Sequence, residues 1–363
     1  MPTLDIIIPR TTGFVAMHVA GFVMYRSALR RVLGLTTRTW VYRTPETMAG
    51  LLRDSGADIV MLVAEHTASR DELRQAIQAA REANPARRIV FFDTFDATST
   101  PLFSLLPFVD LYVKSKCLRP VEGYTRPYAG DFIFTEYCAS VMGWDLHGWS
   151  FGSVASERHL RKIVPGWSYG ASRGLRWLAR LNRLAPLAFS RRPIQLHARI
   201  TAPARESKEW YERYRAFAAE TVDRLRGRFV TTPVSRVSRR AYLLEMRRCK
   251  LVFSPFGWGE LCLRDYEAVC SGCLLIKPDM SHLTTSPDVF EPLRTYVPIK
   301  WDLSDLEEAC DRYLTNEREA ASIAKEAQRR MHAYFERHGF VEDVAKMLRA
   351  LEERALDATG TSA

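Results

Sequence analysis

Residues 251–279 read LVFSPFGWGELCLRDYEAVCSGCLLIKPD, and this stretch decides the fold class of the chain. The apolar run 251–255 has the length of a buried strand, whereas 263–271 has the apolar spacing of a short helix. A second apolar run, 274–277, follows directly after Gly272. A strand, a helix and a strand in succession predict a parallel βαβ unit, with a glycine-rich turn at the carboxyl end of its first strand.

The glycine-rich turn is Gly257-Trp258-Gly259-Glu260. At such a place a phosphate group can bind free backbone N–H groups and the positive end of the helix dipole. The helix and the second strand add two cations and two carboxylates: Arg264, Asp265, Glu267 and Lys277. Cations suit a diphosphate and a carboxylate can hold a ribose diol, so we expect a sugar nucleotide at this sheet edge. The dinucleotide pattern G-x-G-x-x-G is broken by Cys262, which argues against a nicotinamide or flavin dehydrogenase.

The same alternation recurs on both sides of an irregular middle segment. Strands are predicted at 4–10, 38–43, 57–65, 88–95, 110–116, 194–200, 228–233 and 296–299. Helices are predicted at 14–33, 45–55, 69–83, 206–225, 239–249 and, after residue 301, at 305–314, 318–337 and 341–356. This predicts an α/β fold with two Rossmann-like parallel-sheet domains facing a cleft. We assign 1–150 to an N-terminal domain, 151–192 to a basic interdomain segment, 193–335 to a C-terminal domain, and 336–363 to a C-terminal helix.

The chain is basic, with 52 Lys and Arg against 42 Asp and Glu, a net charge of +10 and a pI of about 9.3. Its partners are therefore expected to be acidic: nucleotides, nucleic acid or an anionic lipid surface. The segment 158–192 holds nine Lys and Arg and no Asp or Glu. With its aromatic residues at helical spacing, it can lie on a membrane surface. The alternative is an interdomain helix whose leucine side chains are buried in the core and whose arginine side chains are exposed to solvent.

The seven cysteines are odd in number and scattered, which argues against a disulfide framework and favours a cytoplasmic setting. The C-x-x-C of Cys270 and Cys273 has no second pair to complete a zinc site, so we interpret both as packing residues. The first residues lack the basic region of a signal peptide. We expect a cytoplasmic protein, with the inner face of a membrane as the place of any peripheral contact.

The run SPFGWGELCLRDYEAVCSGCLLIKPD resembles the donor-binding segment of GT-B-fold glycosyltransferases, in the family-1-like and exostosin-like group. The shared features are the glycine-rich turn, an acidic residue, and a Glu-Ala-x-x-x-Gly helix end that leads into an apolar strand. Six residues separate Glu260 from Glu267, one fewer than in retaining members of the group, which leaves the role of Glu260 and the stereochemistry open. The N-terminal half matches only in its strand–helix rhythm.

The resemblance implies an enzyme that moves a sugar from a nucleotide-sugar donor, bound by the C-terminal domain 193–335, to a hydroxyl of a glycan, lipid-linked or protein acceptor, bound by the N-terminal domain 1–150. It also implies that the helix within 336–363 crosses back to the N-terminal domain. Glu267 would bind the ribose hydroxyls, and Arg264 and Lys277 would lie near the diphosphate. Arg199 stands at the end of the first strand of the C-terminal domain, where related enzymes often place a phosphate-binding arginine. Glu260 is a catalytic candidate of the turn.

The acceptor hydroxyl must lose a proton, so a base is expected at the strand ends of the N-terminal domain. The candidates are Asp93 and His66, whereas Asp96 is interpreted as a helix N-cap. The chain has no Asp-x-Asp triplet, which metal-dependent transferases of the other major fold use to hold a divalent ion, so we predict no metal and no cofactor beyond the donor. Two alternatives are a basic nucleic-acid-binding protein and a GT-B-fold sugar-nucleotide epimerase.

Overall fold

The computed structural model describes residues 1–10, 13–65, 67–200, 209–233 and 236–360. Its strands are β1 (Thr3–Pro9), β2 (Thr36–Tyr42), β3 (Ile59–Val63), β4 (Arg88–Asp93), β5 (Leu111–Lys114), β6 (Cys117–Leu118), β7 (Ile163–Pro165), β8 (Ile194–His197), β9 (Cys249–Phe253), β10 (Leu274–Pro278), β11 (Leu283–Thr284) and β12 (Val297–Ile299). Its α-helices are α1 (Phe14–Met24), α2 (Arg26–Leu33), α3 (Pro45–Asp54), α4 (Arg70–Ala83), α5 (Ile133–Ser140), α6 (Arg173–Leu184), α7 (Trp210–Leu225), α8 (Arg239–Met246), α9 (Leu263–Cys270), α10 (Leu306–Thr315), α11 (Glu317–Glu336) and α12 (Gly339–Gly360).

Six parallel strands form the first sheet, in the order β2-β1-β3-β4-β5-β7. The central strand β3 reads IVMLV and is buried at every position, as expected of a parallel strand covered on both faces. Side chains of α1, α2 and α12 share a core with one face of this sheet. Those of α3 and α4 share a core with the other face. We call this sheet and its helices the N-terminal unit.

The second sheet is also parallel, in the order β12-β10-β9-β8, and with α7 to α11 it forms the C-terminal unit. The strand predicted at 228–233 is wrong, because this segment makes only a single bridge between Thr231 and Leu196. The side chain of Val230 is 57% exposed, so the apolar residues of the segment do not line a core face. The two expected α/β sheets are therefore confirmed, one strand short in the second.

The middle of the chain joins the two units more closely than the sequence indicated. β7 extends the first sheet to Pro165, past residue 150. Before it, α5 packs into the core of the C-terminal unit, where the Phe134 ring lies 4.7 Å from that of Tyr214. A two-residue antiparallel pair of β6 with β11 adds backbone contacts between the units.

The last helix, α12, lies on the N-terminal unit. The ring of Phe340 packs 5.0 Å from Phe22 and 5.2 Å from Trp167 in the core beside the first sheet. The helix predicted at 14–33 is two helices that meet at Tyr25. All seven cysteines are free thiols. Of the helices described, none is long and apolar enough to span a bilayer.

Candidate active site

The glycine-rich turn lies between the two units. A Cβ atom on Gly259 would stand 1.9 Å from the carbonyl oxygen of Asp96, in the loop after β4, so the close backbone approach requires glycine. Gly257 has no heavy atom within 4 Å of a Cβ position. The ring of Trp258 packs 4.7 Å from Tyr211 and 5.4 Å from Phe151. Gly259 and Trp258 of this turn are thus used in packing, whereas Gly257 is open, so a phosphate at the turn stays a prediction for Gly257.

The N-terminus of α9 is occupied by a carboxylate of the chain itself. Asp265 accepts a hydrogen bond from the backbone N–H of Cys262 at 2.8 Å. Lys277 is fully buried, lies 3.1 Å from Asp265 Oδ2 and donates to the carbonyl of Ser254. Lys277 is therefore out of reach of a bound diphosphate in this structure, because it neutralises Asp265 beneath the strand ends. This corrects its expected role.

Glu260 closes the contact between the units. Its carboxylate accepts hydrogen bonds from the Thr98 backbone N–H at 3.0 Å and from the Thr98 hydroxyl at 2.6 Å, and His282 Nε2 lies 3.3 Å away. Burial opposes its ionisation, but the hydrogen bond and charge of His282 outweigh burial and lower the pKa of Glu260. All polar atoms of this buried carboxylate are engaged, so the structure places Glu260 as an interdomain anchor.

Asp93 is a structural carboxylate in this arrangement. It accepts hydrogen bonds from the Phe95 backbone N–H and the Tyr112 hydroxyl, both at 2.8 Å, and the ammonium of Lys114 lies 3.5 Å away. Asp93 is 2% exposed, so an acceptor hydroxyl does not reach it. The other predicted base, His66, lies outside the described residues.

Asp96 is the carboxylate that the loop after β4 turns toward solvent, with 37% of its side chain exposed. It begins no helix, so its interpretation as an N-cap is wrong. It is held by the buried ammonium of Lys116 at 3.2 Å and by the hydroxyl of Tyr169. Burial opposes ionisation, but Lys116, Tyr169 and His18 together lower the pKa of Asp96. An ionised, partly exposed carboxylate therefore stands at the carboxyl end of the first sheet.

Arg199 follows β8, as predicted, but its guanidinium is already paired. It binds Glu245 of α8 through two hydrogen bonds, at 2.6 and 2.5 Å, and donates to the carbonyl of Pro233 at 3.0 Å. A bidentate pair of this kind fixes the guanidinium plane and neutralises its charge. Arg199 thus supports α8, which corrects its expected part as a direct phosphate ligand.

Arg264 and Arg215 are two neighbouring cations of the C-terminal unit. Burial opposes the charge of Arg264, but Cys262, Tyr242 and Asp265 outweigh burial and raise its pKa. Arg264 donates to the backbone carbonyl of Arg199, and its Nε is buried without a partner. Burial, then the repulsion of Arg264 and Arg236, lower the pKa of Arg215. Burial and the charges of Arg264 and Arg199 lower the pKa of the neighbouring His197 to about 3. Within the described ranges neither Arg264 nor Arg215 has a carboxylate at ion-pair distance.

Glu267 lies beside these cations on α9 and is 2% exposed. It forms an ion pair with Arg239, whose side chain is 58% exposed and covers it from the solvent side. Burial raises the pKa of Glu267, although the pairing with Arg239, the charge of Arg264 and the hydroxyl of Tyr242 act in the opposite direction. Displacement of the exposed Arg239 side chain would open the carboxylate to a ligand.

Sequence reasoning identified Arg264 and Glu267 but missed Arg215, Arg239 and Tyr242. These three residues stand on α7 and α8, and no motif distinguishes them from the many other arginines and tyrosines of the chain. They can be identified only in the folded structure, where α7 and α8 place these side chains next to α9. Among the residues described, no three His, Cys, Asp or Glu side chains cluster as metal ligands would.

Comparison with known proteins bears on this site directly. Residues 180–346 match the glycosyl transferase-like family. The fold is similar to that of a glycosyltransferase from Rickettsia africae, with a TM-score of 0.50 and 11% identity over 98% of both chains. A trehalose-phosphate synthase from Burkholderia vietnamiensis has a TM-score of 0.49 and 12% identity, covering 97% of this chain and all of that one. A sucrose-phosphate synthase from Thermosynechococcus elongatus has a TM-score of 0.48 and 11% identity, over 97% and 100% of the two chains.

No curated protein sequence matches the chain. The family match covers β8 to β12 and the helices between them, which is the part that holds Arg264 and Glu267. The similarity in fold covers the first sheet as well, for which the sequence showed only an alternation of strands and helices. The match of residues 180–346 to the glycosyl transferase-like family, together with the GT-B fold, indicates that the protein is a glycosyltransferase.

Proposed function

We propose that the C-terminal unit binds a nucleoside-diphosphate sugar and that the sugar passes to a hydroxyl of an acceptor held by the N-terminal unit, without a required metal ion. The observation that carries this proposal is the pair Arg264 and Arg215, two half-buried guanidinium groups without a carboxylate at ion-pair distance among the described residues, of which Arg264 has a buried Nε without a hydrogen-bond partner. An anion between the two groups would supply the ionic partner that both of them lack.

The anion best suited to this place is a diphosphate. Two guanidinium groups supply several fixed donors for phosphate oxygens. Glu267 lies next to them and would accept the ribose hydroxyls once Arg239 moves aside, which leaves Arg239 free to contact the phosphates. In this arrangement Arg199 and Glu245 hold α8 in position, and neither contacts the donor.

In the reaction, the bond between the anomeric carbon and the diphosphate oxygen breaks, and a bond to the acceptor oxygen forms through an oxocarbenium-like transition state. The negative charge that develops on the leaving diphosphate is stabilised by Arg264 and Arg215. The acceptor hydroxyl gives its proton to a carboxylate of the N-terminal unit. We assign this role to Asp96 instead of Asp93, because Asp96 is ionised and partly exposed, whereas Asp93 is enclosed.

The proposal is tested by melting-temperature shifts with UDP, GDP, ADP, CMP and dTDP, each measured with and without EDTA. A ligand that binds only the folded protein raises the melting temperature by mass action. We expect one nucleoside diphosphate to stabilise the protein equally with and without EDTA. Glu267→Gln should weaken its binding about tenfold, since the ribose hydroxyls lose a charged acceptor.

The exposed glutamate Glu308, on α10, provides the control, and Glu308→Gln should respond as the wild type does. The absence of any shift in the folded protein would contradict the nucleotide site. A shift that EDTA abolishes would contradict metal independence alone. The epimerase and nucleic-acid alternatives are not favoured by the comparisons, and product analysis with the stabilising donor would recognise an epimerase by a changed sugar on the same nucleotide.

Asp96→Asn should lower the rate of nucleoside-diphosphate release by about 100-fold or more, because general-base assistance is lost. Nucleotide binding should persist, since Asp96 stands in the other unit. The lowered pKa keeps the wild-type carboxylate ionised as the pH falls from 7 to 5, so we expect no loss of rate from this group across that range. A variant with the wild-type rate would remove Asp96 from the mechanism.

A further inference from the structure

α6 presents a basic and aromatic stripe to solvent that the transfer reaction does not use. The exposed residues Arg173, Arg176, Trp177, Arg180 and Leu184 stand at positions i, i+3, i+4, i+7 and i+11 of the helix and so share one side of it, with Trp177 60% exposed. We call these five residues the α6 face. The opposite side of the helix is core, because Leu175 and Leu178 are buried. The leucine side of α6 is therefore packed in the core, so only the arginine side is available for binding a partner.

The charge on the α6 face is not neutralised locally. In the parts of the chain that the structure describes, Arg183 is the α6 arginine with an ion pair, to Glu336, and no carboxylate lies within ion-pair distance of Arg173, Arg176 or Arg180. The guanidinium of Arg176 lies 5.9 Å from the ring of Tyr25, at the junction of α1 and α2. Positive charge therefore continues from α6 toward the exposed arginines of α2.

The first turn of α6 also lines a mainly apolar cavity of about 280 Å³. Met17 and Ala20 of α1 form one wall, and Leu175 and Leu263 belong to the same lining. Arg239, the ion-pair partner of Glu267, stands in the lining too. An apolar groove thus begins at the basic face and reaches a residue of the nucleotide site.

We propose that the α6 face docks on an anionic lipid surface, with Trp177 and Leu184 entering the interface between head groups and acyl chains. Exposed tryptophan among unpaired arginines matches such a surface in both charge and polarity. A polyanion without an apolar layer would attract the arginines but would give the exposed Trp177 and Leu184 no apolar environment. Docking here places the groove and Arg239 next to the membrane, where the apolar part of a lipid can enter.

The test is sedimentation of the full chain with vesicles of phosphatidylcholine, with and without phosphatidylglycerol, and no sugar donor present. We expect binding only when phosphatidylglycerol is included, and a decline with added salt. Arg176→Glu with Arg180→Glu should lower the partition coefficient by about 30-fold or more, since each basic residue near such a surface contributes about fivefold. Trp177→Ala should lower it by a smaller factor at every salt concentration.

The matched control is Arg70→Glu with Arg74→Glu, which reverses two exposed arginines spaced by four residues on α4, on the opposite side of the first sheet. This variant should bind vesicles as the wild type does. Failure of the wild type to bind phosphatidylglycerol vesicles would overturn the proposal, as would equal losses in the α6 and α4 variants. Tighter binding of a mixed-sequence oligonucleotide than of the vesicles, at the same salt, would also overturn it and assign the face to nucleic acid. None of these outcomes depends on the nucleotide site.

Discussion

Replacing both Arg215 and Arg264 by glutamine should raise the dissociation constant of the nucleoside diphosphate by about 100-fold to 10,000-fold. Each guanidinium contributes charge-assisted hydrogen bonds to the phosphates, worth about 1.5 to 3 kcal/mol per group. The melting temperature of the free protein should change by only a few degrees, because the substitution removes the burial of a charge and the repulsion at Arg215 but also the hydrogen bond from Arg264 to the carbonyl of Arg199. Isothermal titration with the nucleotide, together with the melting temperature of the free protein, measures both effects.

Arg213→Gln with Arg224→Gln removes the same charge from exposed positions of α7 and serves as the control. Its nucleotide affinity should fall by no more than about threefold, through the general electrostatic field alone. If this control loses as much affinity as the double substitution of Arg215 and Arg264, the phosphates are attracted by net charge and the two arginines are not their ligands.

The second large effect concerns stability. Gly259→Ala should lower the melting temperature by about 5 °C or more, because the new Cβ would stand 1.9 Å from the carbonyl oxygen of Asp96 and 2.3 Å from its carbonyl carbon. Both neighbours are backbone atoms, which cannot turn aside as a flexible side chain can. Relief of the clash requires the two units to separate, and this would break the hydrogen bonds of Thr98 to Glu260.

Gly257→Ala, two residues earlier in the same turn, is the matched control. Its Cβ meets no heavy atom within 4 Å, and its φ lies outside the left-handed region, so the melting temperature should stay within about 1 °C of the wild type. Equal melting temperatures for the two variants would mean that the turn does not hold the units together.

Much of the fold could be predicted from the sequence because buried parallel strands leave a strong local signal. β3 is apolar throughout and β4, β9 and β10 are mostly apolar, and the N-cap at Ser69 was predicted from the residues around it. The run at 228–233 also contains apolar and β-branched residues, but in the structure it makes only one bridge, from Thr231 to Leu196 of β8. Pairing is a tertiary property, so local periodicity could not distinguish this segment from a strand.

The site was less predictable, because a residue type does not reveal its partner. Lys277 and Arg199 have the charge expected of phosphate ligands, but Asp265 and Glu245 neutralise them in the fold. Asp93 and Asp96 differ by three positions, and only the packing of Tyr112 and Lys114 shows which of the two carboxylates is enclosed. Arg264 and Glu267 could be identified because they lie on α9 within the quoted motif.

The central claim is that Arg264 and Arg215 hold the diphosphate of the donor. The most direct measurement is a crystal structure of the protein with the nucleoside diphosphate that raises its melting temperature, grown in the presence of EDTA. The account predicts phosphate oxygens within hydrogen-bond distance of both guanidinium groups, the ribose at Glu267, and Arg239 moved from its ion pair. Phosphates bound elsewhere, with Arg264 and Arg215 unoccupied, would contradict it.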